Sequence, residues 1–114
     1  WTGTGKSKVP MYFHLAGNEA FAMAGLWDRW GDRERTIESC TVVTTDASSV
    51  ASRFHPRMPV ILSLDDAERW VDPHTPAGEL GELMKPCEDL EFHEVSRLVN
   101  SPANDSPECI EISR

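Results

Sequence analysis

Residues 44–62 constrain the fold of this chain more than any other stretch. Thr44, Thr45 and the β-branched residues before them favour an extended strand. Asp46 can cap a short helix running through Phe54, with Ala47, Val50 and Phe54 turned inward. Pro56 disfavours helical geometry at His55, so the helix must stop there. Pro59, Val60, Ile61 and Leu62 form a short apolar strand. The predicted order is strand, short helix, polar corner, strand. His55 stands at the corner with Arg53 and Arg57 on either side. An imidazole there can move protons near neutral pH, and a guanidinium can hold an anion.

The flanking segments read mainly as β-structure. Residues 10–16 alternate, with Met11, Phe13 and Leu15 on one face and Tyr12 and His14 on the other. Gly17-Asn18 is turn chemistry, and residues 20–27 resume the alternation, which predicts an antiparallel hairpin between the two runs. A charged loop over residues 30–35 leads to a third strand over residues 36–45, partly buried through Val42 and Val43. Ser63 followed by Asp66 is a capping-box pattern that opens a helix carrying Leu64, Ala67, Trp70 and Val71. Thr75-Pro76 predicts a second helix, with Thr75 as cap and Pro86 beyond its end. Residues 90–99 read as a strand, residues 100–107 as a loop and residues 109–112 as a last edge strand. The expected class is α+β: a mostly antiparallel sheet or partly open barrel with short inserted helices.

Composition narrows the function classes. The 114 residues make one domain or part of one. No apolar run reaches the length of a membrane span, so no membrane role is expected, and the polar start carries no signal-peptide pattern. Opening on Trp1, the chain reads as a piece of a longer product. Three cysteines without close spacing fit neither a disulfide framework nor a metal knuckle, and a reducing, intracellular compartment is expected. Cys40, in an apolar run, reads as a small core residue. The net charge of -8 counts against a broad phosphate-binding surface but allows a local basic patch.

Several motifs dissolve on inspection. Gly3-Thr4-Gly5-Lys6-Ser7 looks like the tail of a phosphate-binding loop, yet Val9-Pro10 ends any following helix at once. It reads as a loop between strands. His14, His55, His74 and His93 have no metal-ligand spacing, and neither a metal nor a cofactor is expected. His14 and His93 read as partly exposed sheet residues. Trp27, Trp30 and Trp70 read as core or sheet-flanking residues, with base stacking as the alternative. The acidic residues from Glu79 to Glu94 read as a solvated face. His55 itself leaves two readings: a corner histidine that bonds the backbone, or a general acid/base at a cleft edge. No serine or cysteine nearby offers a partner nucleophile.

Taken in order, these landmarks resemble the SRAP family, the SOS-response-associated peptidase or abasic-site processing proteins. The likeness rests on Pro10-Met11-Tyr12-Phe13, residues 21–27, Val42-Val43-Thr44-Thr45, residues 55–62, Trp70, and residues 93–100 with Asn104-Asp105. It covers essentially the whole chain. The resemblance implies a DNA-damage protein that crosslinks covalently to abasic sites in single-stranded DNA through an N-terminal cysteine, with a proposed autopeptidase activity. It implies that His55 is the catalytic histidine, that Thr44 lies in the same pocket, that Arg57 contacts backbone phosphate and that Trp1 follows the family's catalytic glutamate on the DNA side.

The same register puts the nucleophilic cysteine, an asparagine and the glutamate before Trp1. Cys40, Cys87 and Cys109 cannot replace the nucleophile, because that chemistry needs a free α-amine beside the thiol. Residues 1–114 are therefore expected to be the C-terminal part of a single SRAP domain. The expected partners are abasic single-stranded DNA and the N-terminal part of the same domain. Alone, the segment is expected to be inactive. The compartment would be cytoplasmic in a bacterium and nuclear in a eukaryote. The alternative is a noncatalytic binding or scaffold module that keeps only the fold.

Overall fold

The computed structural model describes residues 1–113. It divides into two compact units, Trp1–Glu19 with Asp89–Arg114, and Ala20–Glu88. The class is α+β, with two short α-helices and antiparallel ladders, and no closed barrel among the described residues.

In the first unit, β1 (Met11–Leu15) pairs antiparallel with β8 (Leu90–Glu94). The strand predicted from the alternation in residues 10–16 is present, though all five of its residues are half-buried alike, and its partner is not the next segment. Gly17 and Asn18 both adopt positive φ, 85° and 57°, so the turn chemistry is there. It reverses the chain without zipping a hairpin, because the following strand finds better cover elsewhere. Register across β1 and β8 sets Phe13 opposite Phe92 and Tyr12 opposite His93. Tyr12, His14 and His93 form a cluster of rings with centroids 5.4 to 5.6 Å apart on one face. Beyond β8 the predicted strand stops. Val95 makes one bridge to Ile112, and residues Arg97–Asn100 and Pro107–Cys109 are 3-10 turns. The edge strand expected at residues 109–112 is reduced to that bridge.

The second unit is built around a point where three chain segments exchange partners. β2 (Ala22–Met23) pairs with β7 (Ile61–Leu62), β3 (Gly25–Gly31) with β4 (Thr36–Val42), and β5 (Thr44–Asp46) with β6 (Arg57–Pro59). Between the paired runs lie Ala24, Val43 and Val60. Their backbones close a ring of hydrogen bonds: Ala24 N–H to Val60 C=O, Val60 N–H to Val43 C=O, and Val43 N–H to Ala24 C=O, each 2.9 Å. Every donor and acceptor at the junction is thereby satisfied, as burial requires. The strand predicted over residues 36–45 is thus one extended segment that changes neighbour at Val43.

The core lies on this junction. Ala24, Val60, Leu62 and Leu83 are buried, with Ala22, Val43, Ala67, Trp70 and Leu80 packed around them. Removing a Val or Leu side chain of this kind from water is worth about 1.5–3 kcal/mol. Helix α1 (Leu64–Val71) starts where the capping box predicts, with Ser63 Oγ accepting from Asp66 N–H at 3.1 Å. Ala67 and Trp70 face the core, and the indole Nε1 donates to Gly25 C=O at 2.9 Å. Leu64 and Val71 remain exposed, contrary to a broader apolar face. Helix α2 (Ala77–Leu83) begins one residue later than predicted, with Pro76 rather than Thr75 at the N-cap. Thr75 Oγ1 instead donates to Arg69 C=O at 2.7 Å. Glu79 and Asp66 flank the Arg69 guanidinium and hold its pKa above its ordinary value, Glu79 contributing most.

The β3–β4 hairpin corrects four expectations. Every residue of both strands is exposed. Trp27 and Trp30 are 75% and 71% exposed, so neither is a core residue. Cys40 and Val42 are exposed as well, because the ladder has neither face covered within this unit. Gly31 closes the hairpin: with φ of 132°, a Cβ there would sit 1.9 Å from Arg35 C=O. The Asp32 carboxylate then accepts the backbone N–H groups of Glu34 and Arg35, which lowers its pKa.

Candidate functional site

The β5–β6 ladder brings Thr44, Asp46, His55 and Arg57 to one exposed corner. Its base is rigid. Ala47 N–H bonds Pro56 C=O at 3.0 Å and closes the loop over residues 47–56. The predicted helix over 46–54 is only a 3-10 turn at Ala51–Arg53. Pro56 leaves too few residues for a full α-helical turn to propagate. Asp46 does not cap it. Val50 stands at the N-cap position, and the buried Ser48 accepts from Ala51 N–H through Oγ at 3.2 Å. Ser48 N–H lies 3.2 Å from Met58 Sδ, and Met58 is itself buried under the ladder. Ser49 adds a tie to the far end of the unit, its Oγ donating to Glu88 at 2.6 Å.

Asp46 is released for another task. Its Oδ1 accepts from Arg57 Nη1 at 2.7 Å. Arg57 Nη2 donates to Thr44 C=O at 2.9 Å and to Thr44 Oγ1 at 3.1 Å. The guanidinium is therefore held in one orientation across the strand pair, with both ends of its fork in use. The sequence placed Thr44 and Arg57 near each other but missed Asp46 as their third member. The available signal was register: Asp46 pairs directly with Arg57 across the ladder.

His55 is exposed, and its Nδ1 meets the backbone of a single residue twice. Arg57 N–H lies 3.0 Å from it, and Arg57 C=O also 3.0 Å. With the ring proton on Nε2, Nδ1 accepts from the N–H. With Nδ1 protonated, it donates to the C=O. The ring therefore has a backbone partner at Nδ1 in either protonation state without turning. Of the two readings of His55 left open by the sequence, the structure shows the backbone-bonding one.

Trp1 belongs to the other unit. Its indole Nε1 donates to Asn100 Oδ1 at 2.8 Å, and the ring is 63% exposed. His74 is exposed beside Asp72, away from the corner in sequence and in role. Among the described residues no group of three His, Cys, Asp or Glu is placed to hold a metal ion. No helix among them is long and apolar enough to cross a membrane.

The family model for SOS response associated peptidase (SRAP) matches residues 1–102, and the chain belongs to that family. It is 40% identical over 110 residues to the abasic site processing protein YoqW of Bacillus subtilis, covering 93% of this chain and 49% of that protein. It is 41% identical over 98 residues to the abasic site processing protein HMCES of Gallus gallus, covering 82% of this chain and 29% of that protein. A crystal structure of a protein from Bacteroides thetaiotaomicron superposes with a TM-score of 0.82 at 28% identity, over 100% of this chain and 52% of that one. The chain thus spans about half the length of YoqW and of that solved structure, and less of HMCES.

Proposed function

We propose that residues 1–114 are the C-terminal part of an SRAP domain that processes abasic sites in single-stranded DNA, with His55 as its proton-transfer group. The observation that carries this reading is the doubly served Nδ1 of His55 at an exposed corner. A general acid/base needs a fixed ring, a partner in each protonation state and one nitrogen left to meet the substrate. Family membership and relatives named for abasic-site processing support the substrate class.

In this reading the nucleophile is an N-terminal cysteine supplied by the rest of the domain. Its α-amine adds to the aldehyde of the ring-opened sugar and loses water to give an imine. The thiol then adds across that imine, sulfur to carbon and proton to nitrogen, closing a thiazolidine. His55 relays protons in ring opening and in reversal of the crosslink. Arg57 presents an oriented cation to the DNA backbone, and a phosphate oxygen would take the place of the exposed Asp46 carboxylate. Thr44 holds the inner end of that guanidinium, and Trp1 offers an indole face to DNA. Such a protein works where DNA is, in the cytoplasm of a bacterium or the nucleus of a eukaryote. The autopeptidase activity in the family's name would draw on the same histidine.

The test uses the full-length protein carrying His55→Ala and a single-stranded oligonucleotide with one abasic site. Gel-resolved crosslink formation and reversal should slow by about a hundredfold or more. Unchanged rates in both directions would remove the proton-transfer role and leave a binding module that keeps the fold alone.

A further inference from the structure

No spacing along the chain links His14 with His93, but the β1–β8 ladder does. Register sets Tyr12 opposite His93 and His14 opposite Glu91, so all four stand on one face. The two imidazole centroids lie 5.4 Å apart. Tyr12 packs on both rings, stacked on His14 at 5.6 Å and tilted against His93 at 5.4 Å. All three rings are half-buried. Neither histidine takes part in the His55 corner, which belongs to the other unit.

The hydrogen bonds of the two rings fix where their protons sit. His14 Nδ1 lies 2.9 Å from Leu15 C=O, and His93 Nε2 lies 2.8 Å from Ile110 C=O. A carbonyl oxygen only accepts, so each of those nitrogens carries a proton. In the neutral rings His14 Nε2 and His93 Nδ1 are then bare lone pairs. Neither has a hydrogen-bond partner among the described residues. A metal-ligating imidazole is held in the same way: its other N–H goes to a carbonyl or carboxylate, which fixes the tautomer and raises the basicity of the ligating nitrogen. The spacing agrees as well. Two imidazoles bonded at about 2.0–2.1 Å to one tetrahedral ion have ring centroids about 5.2 Å apart. Glu91 adds a carboxylate to the same face, and neither strand of the ladder carries a Lys or Arg to repel a cation.

We propose that His14 Nε2 and His93 Nδ1 form a site for a late first-row divalent metal ion such as Zn²⁺, which clips β1 to β8. Among the described residues no third His, Cys, Asp or Glu completes a set around them, so water fills the remaining positions. Imidazole ligands favour Zn²⁺, Ni²⁺ and Cu²⁺ over Mg²⁺ and Ca²⁺, which take oxygen. The ion would tie the two strands together. Through the His93 bond to Ile110 it would also steady the 3-10 turn at Pro107–Cys109. The site requires neither an abasic substrate nor an acid/base role for His55.

The test is thermal unfolding of the full-length protein, stripped of metal with a chelator and then given Zn²⁺. At ten times the dissociation constant found by calorimetric titration, the wild-type Tm should rise by about 3–6 °C. Mg²⁺ at the same concentration should leave it unchanged. His14→Phe keeps a ring against Tyr12 but removes both nitrogens, and should lose the Zn²⁺ shift. His93→Phe should lose it too, whatever the missing Ile110 bond does to the starting Tm. An atom-specific readout comes from imidazole nitrogen NMR. On adding Zn²⁺, the resonances of His14 Nε2 and His93 Nδ1 should move, while His14 Nδ1 and His93 Nε2 keep their protons. An unchanged wild-type Tm overturns the proposal, and so do unmoved ring nitrogens. A Tm shift that survives His14→Phe overturns it as well, because the ion is then held elsewhere.

Discussion

Two regions leave the same strand junction and meet opposite fates. Residues 44–62 run over a buried floor of Ser48, Ala51, Met58 and Val60, and the Arg57 guanidinium and His55 Nδ1 at the corner above it are tied. The β3–β4 hairpin leaves the junction as a longer and more regular ladder, yet all of its residues are exposed. The contrast shows that strand pairing and burial are separate achievements. A ladder satisfies its own backbone, whereas burying a face needs a second layer. Within this unit the second layer is α1 and α2, and it covers the junction and meets the hairpin only at its base, where Trp70 bonds Gly25.

The strongest way to break this comparison is to truncate one apolar residue on each side. Leu62→Ala should cost about 2–5 kcal/mol in urea unfolding of the full-length protein. Trp27→Ala should cost within about 0.5 kcal/mol, despite removing a larger side chain, if the hairpin is also exposed there. Equal losses would mean that the hairpin is covered in the whole protein. A smaller effect sharpens the corner itself. Arg57→Ala removes contacts to Asp46 and Thr44 that are partly exposed to water, and should cost about 1 kcal/mol. Arg57→Lys should recover only the part owed to Asp46, since an ammonium cannot reproduce the fork.

The smallest effect lies at the hairpin tip. Asp32 has its pKa lowered by the backbone N–H of Glu34 first and Arg35 second. A depressed carboxylate contributes its stability above its unfolded pKa and loses it as pH falls through the folded value. The amide resonances of Glu34 and Arg35 should therefore hold steady down to roughly pH 4 and shift only below it. A midpoint at or above the ordinary carboxylate value would show that the tip is not formed.

What could be read from the sequence was local. The Ser63 cap, the strand at β1 and the His55 corner all follow from neighbours within a few residues, and all three are present. What could not be read depended on distant partners. Gly17-Asn18 makes a turn, but nothing in it says that β1 will pair with β8 some eighty residues on rather than with the next strand. Asp46 has the chemistry of a helix cap and of an ion-pair partner. Only the register with Arg57 decides for the second.

By itself, then, the sequence determined the element types, the place where a histidine must sit outside a helix, and the family to which the chain belongs. Tertiary structure decided which strands pair, which tryptophans are buried, and how His55 is held. The reason is physical. Propensity and capping act over one or two turns of chain, while burial and hydrogen-bond partnership depend on segments that chain connectivity leaves free to meet. Ala24, Val43 and Val60 show it most plainly: three unremarkable residues far apart in sequence, closed into one ring at the centre of the unit.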